Sequence, residues 1–329
     1  MPLHMTVAYQ EWPYREVFAY ARARHAVSRL FVCNLSDGTH IGRGECGLQT
    51  LKNETSEQMR EELEDIASGI ARIGDRETLN REIPAGSARN AVDCAFWDLA
   101  CKRERRSVWT LANIPPAPAI EVDISIGIND TDKMCADARG AAGRGYRLLK
   151  LKADAETAFD KIAAIAEGVP GMRFIVDANE AWTLAQLKSI APKLARIGVE
   201  VIEQPLHHDR DADLEGYHCP IPLCADESCA TRENLDVLAR RYQAINIKLD
   251  KAGGLTEALA LARSARARGL ELMVGCNGAT SLGNAPAYVV GTLSKWRDID
   301  SHELLYEDRA AGMTTRNGKL QVFEPALWG

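Results

Sequence analysis

Arg147-Leu148-Leu149-Lys150-Leu151-Lys152 is a short apolar run that closes on two lysines. The next such run, Arg173-Phe174-Ile175-Val176-Asp177-Ala178-Asn179, closes on an acid and an amide. Between them, 155–167 has the apolar spacing of a helix. The rhythm extends in both directions. Strand-like runs fall at 122–128, 199–202, 223–225, 244–249 and 270–275, and helical patterns at 133–142, 184–196, 232–240, 256–268 and 281–293. Strands alternating with helices predict βαβ units and a parallel sheet. Seven units, with a short candidate strand near Ile299, approach the eight of a closed barrel. An open doubly wound sheet is the alternative, because periodicity does not show closure.

The first third reads differently. Residues 29–35 and 40–45 form two strands around the hairpin signal Ser36-Asp37-Gly38. A helix is predicted from Ser56 to about Ile73 and another from Ala88 to about Arg103. Strands followed by helices without alternation indicate an α+β unit. Pro115, Pro116 and Pro118 make a stiff connector. The expected organisation is an α+β capping domain over 1–117, a barrel over 118–305, and a C-terminal segment over 306–329 that returns to the cap.

The chain has 329 residues, 46% hydrophobic and 26% charged, which is ordinary globular composition. A net charge of −6 makes nucleic acid and anionic membranes poor partners. The first sixteen residues hold no apolar core of a secretory signal. The long uncharged run 272–294 is broken by Gly275, Gly278, Gly283 and Pro286, so it reads as strand, loop and helix. Nine cysteines without paired spacing suggest reduced thiols and a cytoplasmic protein. Cys219, Cys224 and Cys229 lack zinc spacing and read as buried apolar residues.

Barrels of this kind carry catalytic groups at the C-terminal ends of their strands. Here those ends hold Lys150-Leu151-Lys152, Asp177-Ala178-Asn179, Glu203-Gln204-Pro205, Asp226-Glu227-Ser228 and Lys248-Leu249-Asp250. The steps are 25 residues (152 to 177), 26 (177 to 203), 23 (203 to 226) and 22 (226 to 248), about one βα unit each. The charges therefore fall on neighbouring strands at one level. Asp177, Glu203 and Asp226 placed together repel one another unless a cation lies among them. Oxygen ligands without nearby His or Cys suit Mg²⁺. A structural ion network with the lysines is the plainer alternative. Lys150 and Lys152 share a strand face, so each is expected to depress the other's charge and favour a general base. A base on either side of a substrate, with a cation between, suits removal of a carbon-bound proton and its return to the opposite face.

These motifs, together with Lys248-x-Asp250-Lys251-x-Gly253-Gly254 and Gly42-Arg43-Gly44-Glu45, resemble the enolase superfamily in its muconate-lactonising subgroup. Lysine bases with Mg²⁺ are that superfamily's general pattern. The resemblance implies a (β/α)₇β barrel, an α/β fold, capped by an α+β domain whose loops close over a small-molecule substrate. It implies Asp177, Glu203 and Asp226 as Mg²⁺ ligands, supported by Asn179 and Asp250. It implies Lys152 and Lys248 as acid/base catalysts, with Lys150 tuning Lys152.

Dipeptide epimerases of this superfamily carry Asp-x-Asp after the eighth strand, where this chain has Asp298-Ile299-Asp300. That pair is expected to bind a free α-ammonium, the alternative being a solvated turn. Members acting on alanyl-glutamate place a cap-loop arginine on the side-chain carboxylate. Arg22 and Arg24 lie in the matching loop, with Arg24 preferred. Cys276 and Asn277 follow the seventh strand, and Asn277 stands where many relatives carry a larger apolar residue. The resemblance thus implies an isomerase: an Mg²⁺-dependent epimerase of L-Ala-D/L-Glu-type dipeptides, serving murein peptide turnover. A cycloisomerase or N-acylamino acid racemase, whose substrates lack the ammonium, is one alternative. A silent ligand-binding barrel is another. Such barrels often assemble as homo-oligomers.

Two motifs are set aside. Gly42-x-Gly44-x-x-Gly47 follows a hairpin strand rather than opening a βαβ unit, so it is not a dinucleotide site. His207-His208-x-x-Asp211 reads as a solvated loop, and 121–123 as an ordinary polar face.

Overall fold

A computed structural model describes residues 2–49 and 54–329. The chain opens with an antiparallel sheet of β1 (His4–Tyr20), β2 (Ala23–Ser36) and β3 (Ile41–Gly47). The hairpin predicted at 36–38 joins β2 and β3, which pair from Ser36↔Ile41 to Leu30↔Gly47. Strand β1 was not foreseen. It is rich in charged and polar residues and much of it is only half-buried, so it shows no clean alternation.

Four helices follow: α1 (Ser56–Ile73), α2 (Arg76–Glu82), α3 (Ser87–Glu104) and α4 (Val108–Ala112). Thr55 and Gln58 form a capping box at the start of α1. α2 was missed because it is only seven residues long. α3 is buried on nearly every side. One side of it meets the sheet so closely that a Cβ on Gly44 would stand 1.9 Å from the Ala91 carbonyl oxygen. Gly42 and Gly44 of the discarded dinucleotide fingerprint therefore serve strand–helix packing, while Gly47 faces Leu30 and the loop after β11 with room to spare. The other side meets the barrel, where Trp97 Nε1 donates to Thr256 Oγ1 at 2.9 Å.

The predicted alternation then appears. After β4 (Ala119–Glu121) come β5 (Ile124–Ile126), β6 (Leu148–Lys152), β7 (Arg173–Asp177), β8 (Val199–Glu203), β9 (Leu223–Ala225), β10 (Ala244–Lys248), β11 (Glu271–Gly275) and β12 (Trp296–Asp298). β5 to β12 form one eight-stranded parallel sheet in sequence order. Asp123 N, just before β5, donates to Arg297 O on β12 at 3.1 Å, so the two ends meet and the sheet is a nearly closed barrel. Leu148, Ile175, Val201, Cys224, Ala244, Met273 and Trp296, one from each of β6 to β12, pack together in its interior.

The C-terminal segment divides its contacts. β13 (Thr315–Arg316) and β14 (Lys319–Gln321) form a small antiparallel sheet with β4. Arg309 reaches back to Glu45 and Gln10, and Gly329 N donates to Asp98 Oδ1 at 3.0 Å. Arg309 and the last residues thus touch the first strands and α3, while β14 pairs with β4, the strand that leads into the barrel.

Candidate active site

A cavity of about 700 Å³ lies between the cap hairpin and the C-terminal ends of the barrel strands. Its barrel wall includes Lys152, Asn179, Asp226, Glu227 and Lys248, and its cap wall includes Tyr14, Tyr20, Arg22, His25 and Arg29. β6 and β10 stand four apart in a ring of eight, so Lys152 and Lys248 enter this space from opposite walls.

Strand register sets Lys152, Asp177 and Glu203 side by side. Lys152 pairs with Asp177, Asp177 with Glu203, and Glu203 with Cys224, two residues before Asp226. Lys152 Nζ lies 2.6 Å from Asp177 Oδ2, and Lys248 Nζ lies 2.7 Å from Asp226 Oδ2. Lys150 has no exposed surface, and its Nζ lies 2.5 Å from Asp298 Oδ2, 2.7 Å from Glu203 Oε2 and 3.2 Å from Asp177 Oδ2. The sequence led us to expect Lys150 to be depressed by its neighbour on the strand. Burial does push it down, but the carboxylates of Asp298, Glu203 and Asp177 outweigh burial and hold it well above its usual value. Cross-strand acids, invisible to spacing along one strand, cause this correction. Lys248 is raised in the same way, mainly by Asp226 against burial.

The three acids titrate differently. Burial and the neighbouring Asp177 charge push Glu203 up to about 7. For Asp177 burial is overcome by Lys152 and Lys150, which bring it down to about 2. Asp226 lies well below its usual range because Lys248 and Lys251 outweigh burial. The protein's own ammonium groups thus stand where a cation among these acids would be. The donor types suit a hard divalent ion, being buried carboxylates on adjacent strands without His or Cys among them, beside orphaned oxygens at Glu227 Oε2 and Asn179 Oδ1. With the lysines in place, however, the three acids are not among the groups of described residues whose oxygens converge within 4.8 Å.

Loop chemistry fixes the acids. Gln204, at φ 32, accepts from Asp226 N at 2.9 Å and from Ser228 N at 3.2 Å, while its amide donates to Leu206 O, Ser228 Oγ and Tyr242 Oη. Asn246 donates to Glu203 Oε1 at 2.7 Å. A Cβ on Gly275 would come within 2.8 Å of the Asn246 amide and 2.9 Å of Lys248 Cε. Glu227 was quoted in the sequence motif without a role. It is half-buried and lines the cavity, and desolvation of its carboxyl with the Asp226 charge pushes it up to about 7. Only its place after Asp226 could have signalled it.

The remaining expectations divide. Asn179 lines the cavity, and its main-chain N–H donates to Asp177 Oδ1 at 2.9 Å. Cys276 and Asn277 also line it. Asp250 does not. Its carboxylate accepts from Asn90 of α3 and from Asn277, which ties cap to barrel. Asp298 accepts from Lys150 and from Ser125 Oγ, and Asp300 from Ser125 N at 2.6 Å; both are buried just outside the cavity lining. Arg24 is exposed and is not in the lining, whereas Arg22 at the hairpin turn is. Arg22 pairs with Glu180 and donates to Asn179 O, joining the cap to the loop after β7. His207 and His208 stack beside this pair, with His208 Nδ1 2.6 Å from Glu180 Oε1.

Two family models match the chain. One, an enolase C-terminal domain-like model, covers residues 133–324, and the other, the mandelate racemase / muconate lactonizing enzyme N-terminal domain, covers residues 4–112. The chain belongs to the enolase superfamily. It is similar to the L-Ala-D/L-Glu epimerase of Escherichia coli (strain K12), 37% identical over 95% of this chain and 98% of that one. It is also similar to an N-acetyl-D-glutamate racemase of a Pseudoalteromonas species, 40% identical over 75% and 78% of the two chains. A crystal structure of an enolase family member from Agrobacterium tumefaciens with homology to dipeptide epimerases, with sodium and L-Ala-L-Glu bound, superimposes with a TM-score of 0.96. That structure shares 34% identity and covers 100% of both chains. These superfamily relatives are named epimerases and racemases, and this chain is an isomerase of the same superfamily.

Proposed function

We propose that this enzyme is an Mg²⁺-dependent dipeptide epimerase that inverts the α-carbon of the C-terminal residue of L-Ala-D/L-Glu-type dipeptides, in cytoplasmic turnover of murein peptides. The observation that carries this reading is the entry of Lys152 and Lys248 into one cavity from opposite walls, each against a carboxylate. One amine, neutral, takes the α-proton from one face. The other, as ammonium, delivers a proton to the opposite face, which inverts the centre. Asp177, Glu203 and Asp226 are the residues that would hold Mg²⁺, which when bound supplies charge stabilisation for the enediolate.

The acidic side chain has its own support. Arg22, His25 and Arg29 line the cap wall, and a glutamate carboxylate entering there would compete with Glu180 for Arg22 and with Glu11 for Arg29. Asp298 and Asp300 are proposed to take the substrate's free α-ammonium. A second reading, N-acetylglutamate racemisation, is favoured by the 40% identity to a racemase of that name. Both readings make glutamate the inverted residue and differ only at its nitrogen substituent.

The test is proton NMR in D₂O with MgCl₂, following loss of the glutamyl α-proton of L-Ala-L-Glu and of N-acetyl-L-Glu. We expect exchange and epimerisation of the dipeptide, abolished by EDTA and restored by Mg²⁺. Exchange of N-acetyl-Glu alone supports the second reading, and exchange of neither substrate overturns both.

A further inference from the structure

The inner layer of the barrel is apolar on β6 through β12, and the first strand breaks the pattern. Ser125 pairs with Lys150, so Asp123, two residues earlier, comes to the level of Leu148. Residues 121–123 were expected to be an ordinary polar face, but strand geometry turns Asp123 into the barrel interior. It has no exposed surface, and neither of its carboxylate oxygens has a hydrogen-bond partner. Among the described residues Glu180, Glu203 and Glu227 each leave one buried oxygen without a hydrogen bond, but only Asp123 leaves both. Asp93 accepts from Thr256 and Asn80, Asp98 from Lys102 and the Arg43 main chain, and Asp211 from Arg241. Burial and the charges of Asp298 and Asp300 hold the Asp123 carboxyl well above the usual carboxylate range, so its ionised form needs a cation among the three acids.

Asp123 is aimed at the Asp-x-Asp pair. One oxygen each from Asp123, Asp298 and Asp300 lie within 4.8 Å of one another. A triangle with edges at that limit has its centre about 2.8 Å from each corner, so a cation among the three oxygens lies no farther than a charge-assisted N–H···O bond. A primary ammonium has three donors, one for each corner. The cluster already receives one such group, because Lys150 Nζ lies 2.5 Å from Asp298 Oδ2. It also adjoins the cavity: Asp298 pairs with Gly275, whose neighbour Cys276 forms part of the wall, and the Asp298 side chain retains 7% exposure.

We propose that Asp123 is the third carboxylate of the subsite for the dipeptide's α-ammonium, completing Asp298 and Asp300; this rests on the dipeptide reading above. It is a substrate-positioning and specificity-determining residue. A free amine satisfies all three acids, whereas an acylated or absent amine leaves Asp123 buried and unpaired.

The test compares L-Ala-L-Glu with propionyl-L-Glu, its counterpart lacking the ammonium, in wild type and Asp123→Asn. The readout is the ratio of kcat/KM values for α-proton exchange, which a general loss of activity does not move. Losing one charged hydrogen bond predicts that the ratio falls about tenfold or more in Asp123→Asn, mainly through KM for L-Ala-L-Glu. Asp123→Asn is expected to unfold at or above the wild-type temperature, and Asp123→Ser serves the same comparison if the asparagine variant does not fold. A strong wild-type preference left unmoved by these variants overturns the role of Asp123 alone. Equal loss on both substrates overturns it in favour of a structural role. A wild-type ratio near one overturns the ammonium subsite itself, and Asp123 with it.

Discussion

Lys152 and Lys248 look alike in sequence, each the last polar residue of an apolar run, yet their surroundings differ. Lys152 meets Asp177 beside the Tyr20 ring, whereas Lys248 meets Asp226, which also pairs with Lys251. A two-base mechanism assigns each amine one face of the α-carbon. Lys152→Ala and Lys248→Ala are each expected to lower epimerisation by about 10²–10⁴-fold, the usual contribution of a positioned acid or base. Each variant should retain α-deuterium exchange from one enantiomer only, L-Ala-L-Glu in one variant and L-Ala-D-Glu in the other. Full epimerisation by either variant would remove that lysine from the mechanism. Lys150 is of another kind. Buried among Asp298, Glu203 and Asp177, it sets the charge balance of the acids rather than facing the cavity.

At the scale of elements, two glycines separate folding from chemistry. Gly44 lies where β3 crosses α3, and an added Cβ would meet main chain at Ala91 and Ala95, which cannot rotate away. Gly44→Ala is expected to destabilise the protein by about 1–3 kcal/mol or more, read by urea denaturation. Gly275 ends β11 beneath Lys248, and its added Cβ would meet the Asn246 amide and the Lys248 stem. Gly275→Ala is expected to lose most of its epimerase activity with a smaller loss of stability, because these side chains shift at the expense of the geometry they hold. Equal stability losses with unchanged activity would show that Gly275 does not position Lys248.

At the scale of the molecule, cap and barrel meet through buried polar contacts, and Asp250 lies at the centre of that junction. Burial pushes its carboxyl up to about 7, against the bonds from Asn90 and Asn277, with Glu54 and Glu45 adding to the rise. The unfolded chain returns it to about 3.9, so the folded state binds more protons between these values. Asp250 therefore contributes stability at low pH that is lost as pH rises from about 4 through 7. Each unit of displacement is about 1.4 kcal/mol. The urea midpoint of the wild type should fall between pH 5 and pH 7.5, and Asp250→Asn should flatten that slope. A midpoint that rises over this range, or a variant with the same slope, would contradict the assignment.

The barrel was legible because a parallel strand buried on both faces must be an apolar run, and because the charges that end such runs repeat once per βα unit. That reading placed Lys152, Asp177, Glu203, Asp226 and Lys248 at the C-terminal ends of successive strands without coordinates, and it found the hairpin at 36–38 and the helices beginning at Ser56 and near Ala88. Strand β1 was not legible, since a half-buried sheet edge carries no period. Nor was the choice of Arg22 over Arg24 for the cavity wall, which depends on where the β1–β2 hairpin turns. Ring closure alone decided that Lys150 meets Asp298, 148 residues away, and that Asp123 lies unpaired beside Asp298 and Asp300. Period and spacing are properties of one strand at a time, whereas charge and hydrogen bonding in a barrel are set by whichever side chains the strand order brings across its axis.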